Sequence, residues 1–405
     1  MTKITRWEWA AVAALTLLYF FSFRLSSPLN GPREVFDQDS PHILRALVAG
    51  TRYRYNPQHH LLYHALIEGL WRALVTPWWA PGAQVAYVYL KVVAALTGAA
   101  YLATLLVLLQ ALGLSPPRRL VLLFLAASSV TAWFNFAGIE THSLALWAYN
   151  VVLLCVVRAV RGRVFRTRDA LLLAVALAFA ALSRLDNWRL VPLTALLLPF
   201  PQMRWRRGRF AAALGLAVVL ACAGNLVVGK AYFDLPVGEV PGRILARSDR
   251  HDLQVKMKRA ENLNAGLLVQ MGRATAVYTV MMVPPVRARF TAPLASMWAG
   301  ALSSAALAGM LLFWARVLVP LARGLSRGDP FLWLITVGWV GALVFYTWFD
   351  PFEPFIWLLE FLPLLVALAA RTLRPAGRRS FVFLALLATV TAAHNWVDFY
   401  RRYDL

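Results

Sequence analysis

The sequence predicts an all-α, polytopic membrane protein of about eleven transmembrane helices. Two observations carry that reading. Sixty per cent of the 405 residues are hydrophobic and the mean hydropathy is +0.60; apolar runs able to cross about 30 Å of hydrocarbon recur along the chain. The basic residues behind the net charge of +22 sit in short clusters between those runs. That is the pattern of the positive-inside rule, and not of a nucleic-acid surface.

The spans fall near 7–24, 84–113, 119–137, 140–158, 169–185, 188–201, 210–229, 291–315, 331–349, 355–370 and 380–397. The first lacks a small-residue cleavage site at its Arg24–Leu25–Ser26–Ser27 junction, so it reads as a helix retained in the membrane. The run 188–201 is short, and 169–201 is either two spans or a hairpin that does not fully cross. Cys155 and Cys222 lie in different apolar runs and read as small core residues, without a disulfide or a metal. One transmembrane domain over 1–405 is expected, with two long loops at 25–82 and 230–290.

Charge placement orients the spans. Lys3 and Arg6 precede the first; Arg118 and Arg119 follow the second; Arg158, Arg161, Arg163, Arg166 and Arg168 follow the fourth. Arg204, Arg206, Arg207 and Arg209 form the next cluster, then Arg316, Arg323 and Arg327, then Arg371, Arg374, Arg378 and Arg379. With eleven spans all six clusters fall on one face, which is the cytoplasmic one. The N-terminus is then inside, and the protein sits in a prokaryotic plasma (inner) membrane. The other face, periplasmic or exterior, receives all 7 His and all but Glu8, Asp169 and Asp329 of the 19 acidic residues. Chemistry is expected there.

The stretch Phe36–His64, FDQDSPHILRALVAGTRYRYNPQHHLLYH, is the part that apolar packing does not explain. Polar groups beside a membrane are costly unless they face water, protein or a ligand. Asp39 or Ser40 can cap a helix that begins at Pro41. Its residues Ile43, Leu44, Leu47 and Val48 form a one-sided stripe suited to the membrane surface, and Gly50 ends it. Asn56–Pro57 starts a second short helix, on which His60 and His64 share a face, with His59 beside them.

The loop 230–290 mixes cations, among them Arg243, Arg247, Lys256 and Lys258, with acids. It is either a solvated outer loop or a flap offering cations to a phosphate-bearing substrate. Glu140 and His142, near the top of the fourth span, either orient a sugar or acceptor or are satisfied polar helix ends. Arg184, Asp186 and Arg189 occupy an outer turn and form an ion pair, a phosphate contact, or both. FDPFEPF (349–355) puts Asp350 and Glu353 at another outer helix mouth, as a rigid turn or a second acidic wall.

Together these features resemble the GT-C superfamily of membrane glycosyltransferases, in its protein O-mannosyltransferase-like and aminoarabinose transferase-like branches. The local resemblance lies in FDQDSPHILRAL (36–47) followed by NPQHHLLYHAL (56–66), with weaker echoes in AGIETHSLALWAYNVVLL (137–154) and LSRLDNWRLVPLTALLLP (182–199). The chain departs from some branches in lacking a clean Asp–Glu pair. The resemblance implies inverting transfer of a sugar from a polyprenyl-phosphate donor to a lipid, glycan or protein acceptor. It places the general base on Asp39, with Asp37 close behind; Asp39 as a plain helix cap is the alternative, and the two roles are compatible. A weak nucleophile needs such a base, and the departing phosphate needs cations.

The resemblance implies no cofactor. Asp37-x-Asp39 has the spacing by which two carboxylates share a hard cation, and His60 with His64 that of a zinc-binding helix face, so a divalent cation stays open on the residues alone. The rival class is a transporter or flippase for a lipid-linked or anionic substrate. Against it, Lys91 is the main charged residue near mid-membrane, and no pair of broken helices in matching halves is evident.

Overall fold

A computed structural model of the chain describes residues 3–22, 39–51, 57–138, 141–162, 165–240, 265–281, 301–349, 361–373 and 377–403. In chain order its helices are α1 (Arg6–Phe21), α2 (Asp39–Ala49), α3 (Pro57–Leu74), α4 (Ala83–Ala111), α5 (Pro116–Ala127), α6 (Val130–Phe136), α7 (Ser143–Arg161) and α8 (Thr167–Ser183). A 3-10 turn over Leu185–Arg189 precedes α9 (Leu190–Ala195), and another over Pro201–Arg206 precedes α10 (Arg207–Ala231). Then come α11 (Ala265–Arg273), a π-helical turn (Ala274–Tyr278), α12 (Ala301–Ser326), α13 (Pro330–Phe349), α14 (Phe361–Thr372) and α15 (Arg378–Tyr403). No strand occurs among the described residues. Among them six helices are long and apolar enough to cross a membrane, seven if one bent pair counts as a single span. The protein is thus an all-α polytopic membrane protein, with fewer long spans among the described residues than the eleven expected.

The chain divides into two compact units: 1–15, 102–133 and 256–405 form one, and 16–101 and 134–255 the other. In the 16–101/134–255 unit, α8 lies along α7 and α10 and also touches α3. Helix α2 ends as the sequence predicts. Gly50 adopts φ 62°, Thr51 N–H donates to Ala46 O at 3.0 Å, and Gly50 N–H donates to Leu47 O at 3.3 Å. This Schellman closure needs a left-handed residue, which glycine supplies without strain.

The apolar stripe of α2 is spent on protein. Ile43, Leu44 and Leu47 are buried with Tyr63, Ile67, Trp71 and Val75 of α3 and the adjoining turn, Ala86 and Leu90 of α4, and Leu144 of α7. Helix α2 starts at Asp39, two residues before the expected Pro41. A proline within the first turn costs no hydrogen bond, because those N–H groups have no intrahelical partner. Helix α3 begins at Pro57 as expected but runs for 18 residues, longer than the short helix foreseen. Its length follows from packing on two sides: Ile67 and Trp71 face the α2 cluster, while Ala65 packs with Leu182, Tyr232 and Phe233.

Two expected spans are not single helices. The run 119–137 breaks between α5 and α6, which meet at 67°. Ser128 and Ser129 cause the break: Ser128 Oγ donates back to Phe124 O at 2.8 Å, and Ser129 Oγ accepts the Ala132 N–H at 3.2 Å, capping α6. The run 188–201 is a 3-10 turn, the six-residue α9 and a further turn, punctuated by Pro192, Pro199 and Pro201.

In the other unit, α5 and α12 pack on α15. Thr5 and Glu8 form a capping box at the start of α1: Glu8 N–H donates to Thr5 Oγ1 at 3.3 Å, and Thr5 N–H donates to Glu8 Oε2 at 2.8 Å. Arg119 then grips the same carboxylate with two bonds, Nε to Oε1 at 2.6 Å and Nη2 to Oε2 at 2.9 Å. Both side chains are fully buried. Asp329 caps α13 by accepting the Phe331 N–H at 3.0 Å, and it also pairs with Arg371.

Candidate active site

All three acids that the sequence set apart do helix-end work: Glu8 and Asp329 as above, and Asp169 by accepting the Arg166 N–H at 2.8 Å ahead of α8. Several arginines of the basic clusters are similarly engaged. Arg206 donates to carbonyls at the end of α7, Arg207 to Leu198 O at 2.7 Å, and Arg209 to Phe165 O at 2.9 Å. Charge placement in the sequence does not reveal these carbonyl contacts. The remaining described candidate residues lie in the 16–101/134–255 unit.

There the packing fixes the elements that carry the sequence candidates. Helix α2 starts on Asp39, and its buried stripe seats it on α3. His59 and His60 lie in the first turn of α3, where the backbone alone is described, and His64 follows one turn later. His64 is buried, at 2% exposure, and its ring stands edge-on to Tyr63 with centroids 5.8 Å apart. Burial pushes its pKa down to about 3. The imidazole is therefore neutral at physiological pH.

The 3-10 turn that carries Asp186 and Arg189 packs against α3 and α8. Arg184, between α8 and this turn, is 2% exposed; Arg189, at the turn's end, is half-buried. Asn187 pins the turn by donating from Nδ2 to Ala180 O at 3.1 Å. His142 immediately precedes α7 and is buried; Leu144, two residues on, joins the α2–α3 cluster. One packed group of elements thus carries Asp39, His59, His60, His64, His142, Arg184, Asp186 and Arg189. Of these, His64, His142 and Arg184 are buried.

Asp37, Glu140, Arg243, Arg247, Lys256, Lys258 and Glu353 lie outside the described residues, as does Asp350. Among the described residues no group of three or more His, Cys, Asp or Glu is placed to hold a metal. One charged residue of the same unit lies inside an apolar run. Lys91 of α4 is buried at 1% exposure, and its Nζ donates to Tyr19 O at 3.3 Å and Ala137 O at 2.5 Å. The signal was present: a lysine inside an apolar run is costly and seldom idle.

No protein-family model and no curated protein sequence matches the chain. Solved structures do. Over 96% of its length the chain is similar to ArnT from Cupriavidus metallidurans bound to undecaprenyl phosphate, with TM-score 0.58 and 14% identity. Over 96% it is also similar to the archaeal oligosaccharyltransferase AglB from Archaeoglobus fulgidus, in complex with an inhibitory peptide and a dolichol-phosphate, with TM-score 0.55 and 11% identity. The chain spans 63% of the length of ArnT and 56% of that of AglB. These define the class: a helical, multi-pass membrane protein. The likeness is one of fold: the chain shares the helical architecture of these two membrane proteins.

Proposed function

We propose that the protein is a glycosyltransferase that takes a sugar from a polyprenyl-phosphate donor on the non-cytoplasmic face of the membrane and transfers it with inversion. The single observation behind this reading is the fold over 96% of the chain, shared with an ArnT structure that holds undecaprenyl phosphate. Asp39, at the start of α2, takes the proton from the acceptor hydroxyl or amine as that atom bonds to the anomeric carbon. The bond to the lipid phosphate breaks on the opposite face, and its electron pair leaves with the phosphate. Arg184 and Arg189, with Arg243, Arg247, Lys256 and Lys258 of the long loop, balance the charge that develops there. His59, His60, His64, Glu140, His142, Asp186 and Glu353 hold sugar and acceptor; Asp37 is the base if Asp39 is not. The acceptor is a lipid, glycan or protein, and membrane lipids surround the protein.

The test compares Asp39→Asn with Asp37→Asn in purified protein supplied with polyprenyl-phosphate sugars. The reading expects Asp39→Asn to lose turnover while eluting and melting as the wild type does. Full activity in that variant with none in Asp37→Asn moves the base to Asp37; full activity in both removes the mechanism.

A further inference from the structure

Helix α4 carries Lys91 and Gly98 seven residues apart, hence on one face. At Gly98 the helix meets its neighbours backbone to ring: a Cβ there would lie 2.8 Å from Phe136 Cβ and 3.0 Å from Tyr19 Cδ2. The Tyr19 and Phe136 rings stand 5.7 Å apart, and Tyr101 closes the group at 5.1 Å from Phe136. Glycine thus brings α1, α4 and α6 close, and Lys91 reaches what that approach exposes. Its two acceptors are not arbitrary carbonyls. Tyr19 O lies in the last turn of α1, and Ala137 O directly follows α6. Those are carbonyls that a helix leaves without an intrahelical partner, and each helix C-terminus bears roughly half a negative charge. One ammonium matches two such ends. Ser22 Oγ, which donates to Leu18 O, satisfies a further carbonyl of the same turn.

We infer that Lys91 is a positioning residue that ties the end of α1 to the end of α6 and so sets where the chain enters α7, with His142 five residues after Ala137. A single Nζ joins the two helix ends, so the entry to α7 starts from one fixed place. The inference rests on the proposed function for its effect on turnover, but its structural half stands alone.

The experiment uses full-length protein in nanodiscs with Lys91→Met, which keeps the chain length and removes the donors, and Lys91→Arg, which keeps them. Lys91→Met is expected to lower kcat by about 100-fold, the cost of about 1 Å of misplacement at a reacting centre. Donor KM should stay within about twofold, since binding contacts are untouched. Amide exchange should rise at 18–22 and 137–143 and stay at wild-type rates in α8 and α10; Lys91→Arg should recover most of the turnover. Unchanged kcat and unchanged exchange in Lys91→Met overturn the inference. So does a rise in exchange throughout the unit without rescue by Lys91→Arg, which marks plain packing. If the wild type transfers no sugar from any donor, the glycosyltransferase reading fails, and the exchange pattern alone still decides whether Lys91 holds the two exits.

Discussion

Leu47→Ala tests how Asp39 is held. Helix α2 has 11 residues, too few to be stable alone in water. Its seat is the buried face of Ile43, Leu44 and Leu47, exposed by 3%, 3% and 4%. Losing three carbons from Leu47 forfeits about 2 kcal/mol of transfer free energy at about 0.8 kcal/mol per methylene. The cavity left among Tyr63, Ile67 and Trp71 raises the cost to about 2–5 kcal/mol. That cost falls on the undocking of α2, whose opening equilibrium should rise at least about 30-fold, at 1.4 kcal/mol per tenfold. Hydrogen exchange in nanodiscs reads it directly. Amides of 43–51 should lose protection by at least that factor while α8 and α10 keep theirs, and Leu47→Met should stay within about 1.5 kcal/mol of wild type. Unchanged protection in α2, or an equal loss across α8 and α10, refutes the claim that this face seats the helix.

The buried His64 makes an acid limb. Its folded pKa of about 3 lies below the unfolded value near 6.5, so the unfolded chain binds more protons between the two. The stability His64 lends is full above about pH 6.5 and falls as the pH drops toward 3, by about 5 kcal/mol at most. His64→Phe should flatten that limb in pH-dependent melting, and an unaltered limb would place its origin elsewhere. Glu8→Gln strands Arg119 in the core and should cost about 3–5 kcal/mol, measured by unfolding in detergent, with Glu8→Gln/Arg119→Met recovering part of it. Serine at Arg243, Arg247, Lys256 and Lys258 should raise the donor KM more than it lowers kcat, read from saturation curves; an unchanged donor dependence returns that loop to plain solvation.

Local signals in the sequence were good guides to local structure. Pro57 opens α3, Gly50 closes α2 with φ 62°, and the apolar stripe of α2 is the buried one. Hydropathy could not foresee the α5–α6 break, because Ser128 and Ser129 are too few to disturb a window average, yet their hydroxyls redirect the backbone. Nor could it pair Glu8 with Arg119, 111 residues apart, although the Thr-x-x-Glu capping box was written in the first residues. At the candidate site, spacing put Asp39 at a helix start and His60 with His64 on one face. It gave no hint that the turn 185–189 packs on α3, because the two lie far apart in sequence. The stripe of α2 was assigned to the membrane surface because amphipathicity reports an apolar partner without naming it; α3, α4 and α7 are that partner.

The central claim is that lipid-linked sugar is consumed on this fold. The most direct measurement follows polyprenyl phosphate released by the purified wild-type protein in nanodiscs from a panel of polyprenyl-phosphate sugars, with Asp39→Asn alongside. Release from at least one donor by the wild type, and none by the variant, is the expected result. Intact donor throughout, with lipid-linked sugar carried across liposomes by the same preparation, would contradict it and put a transporter in its place.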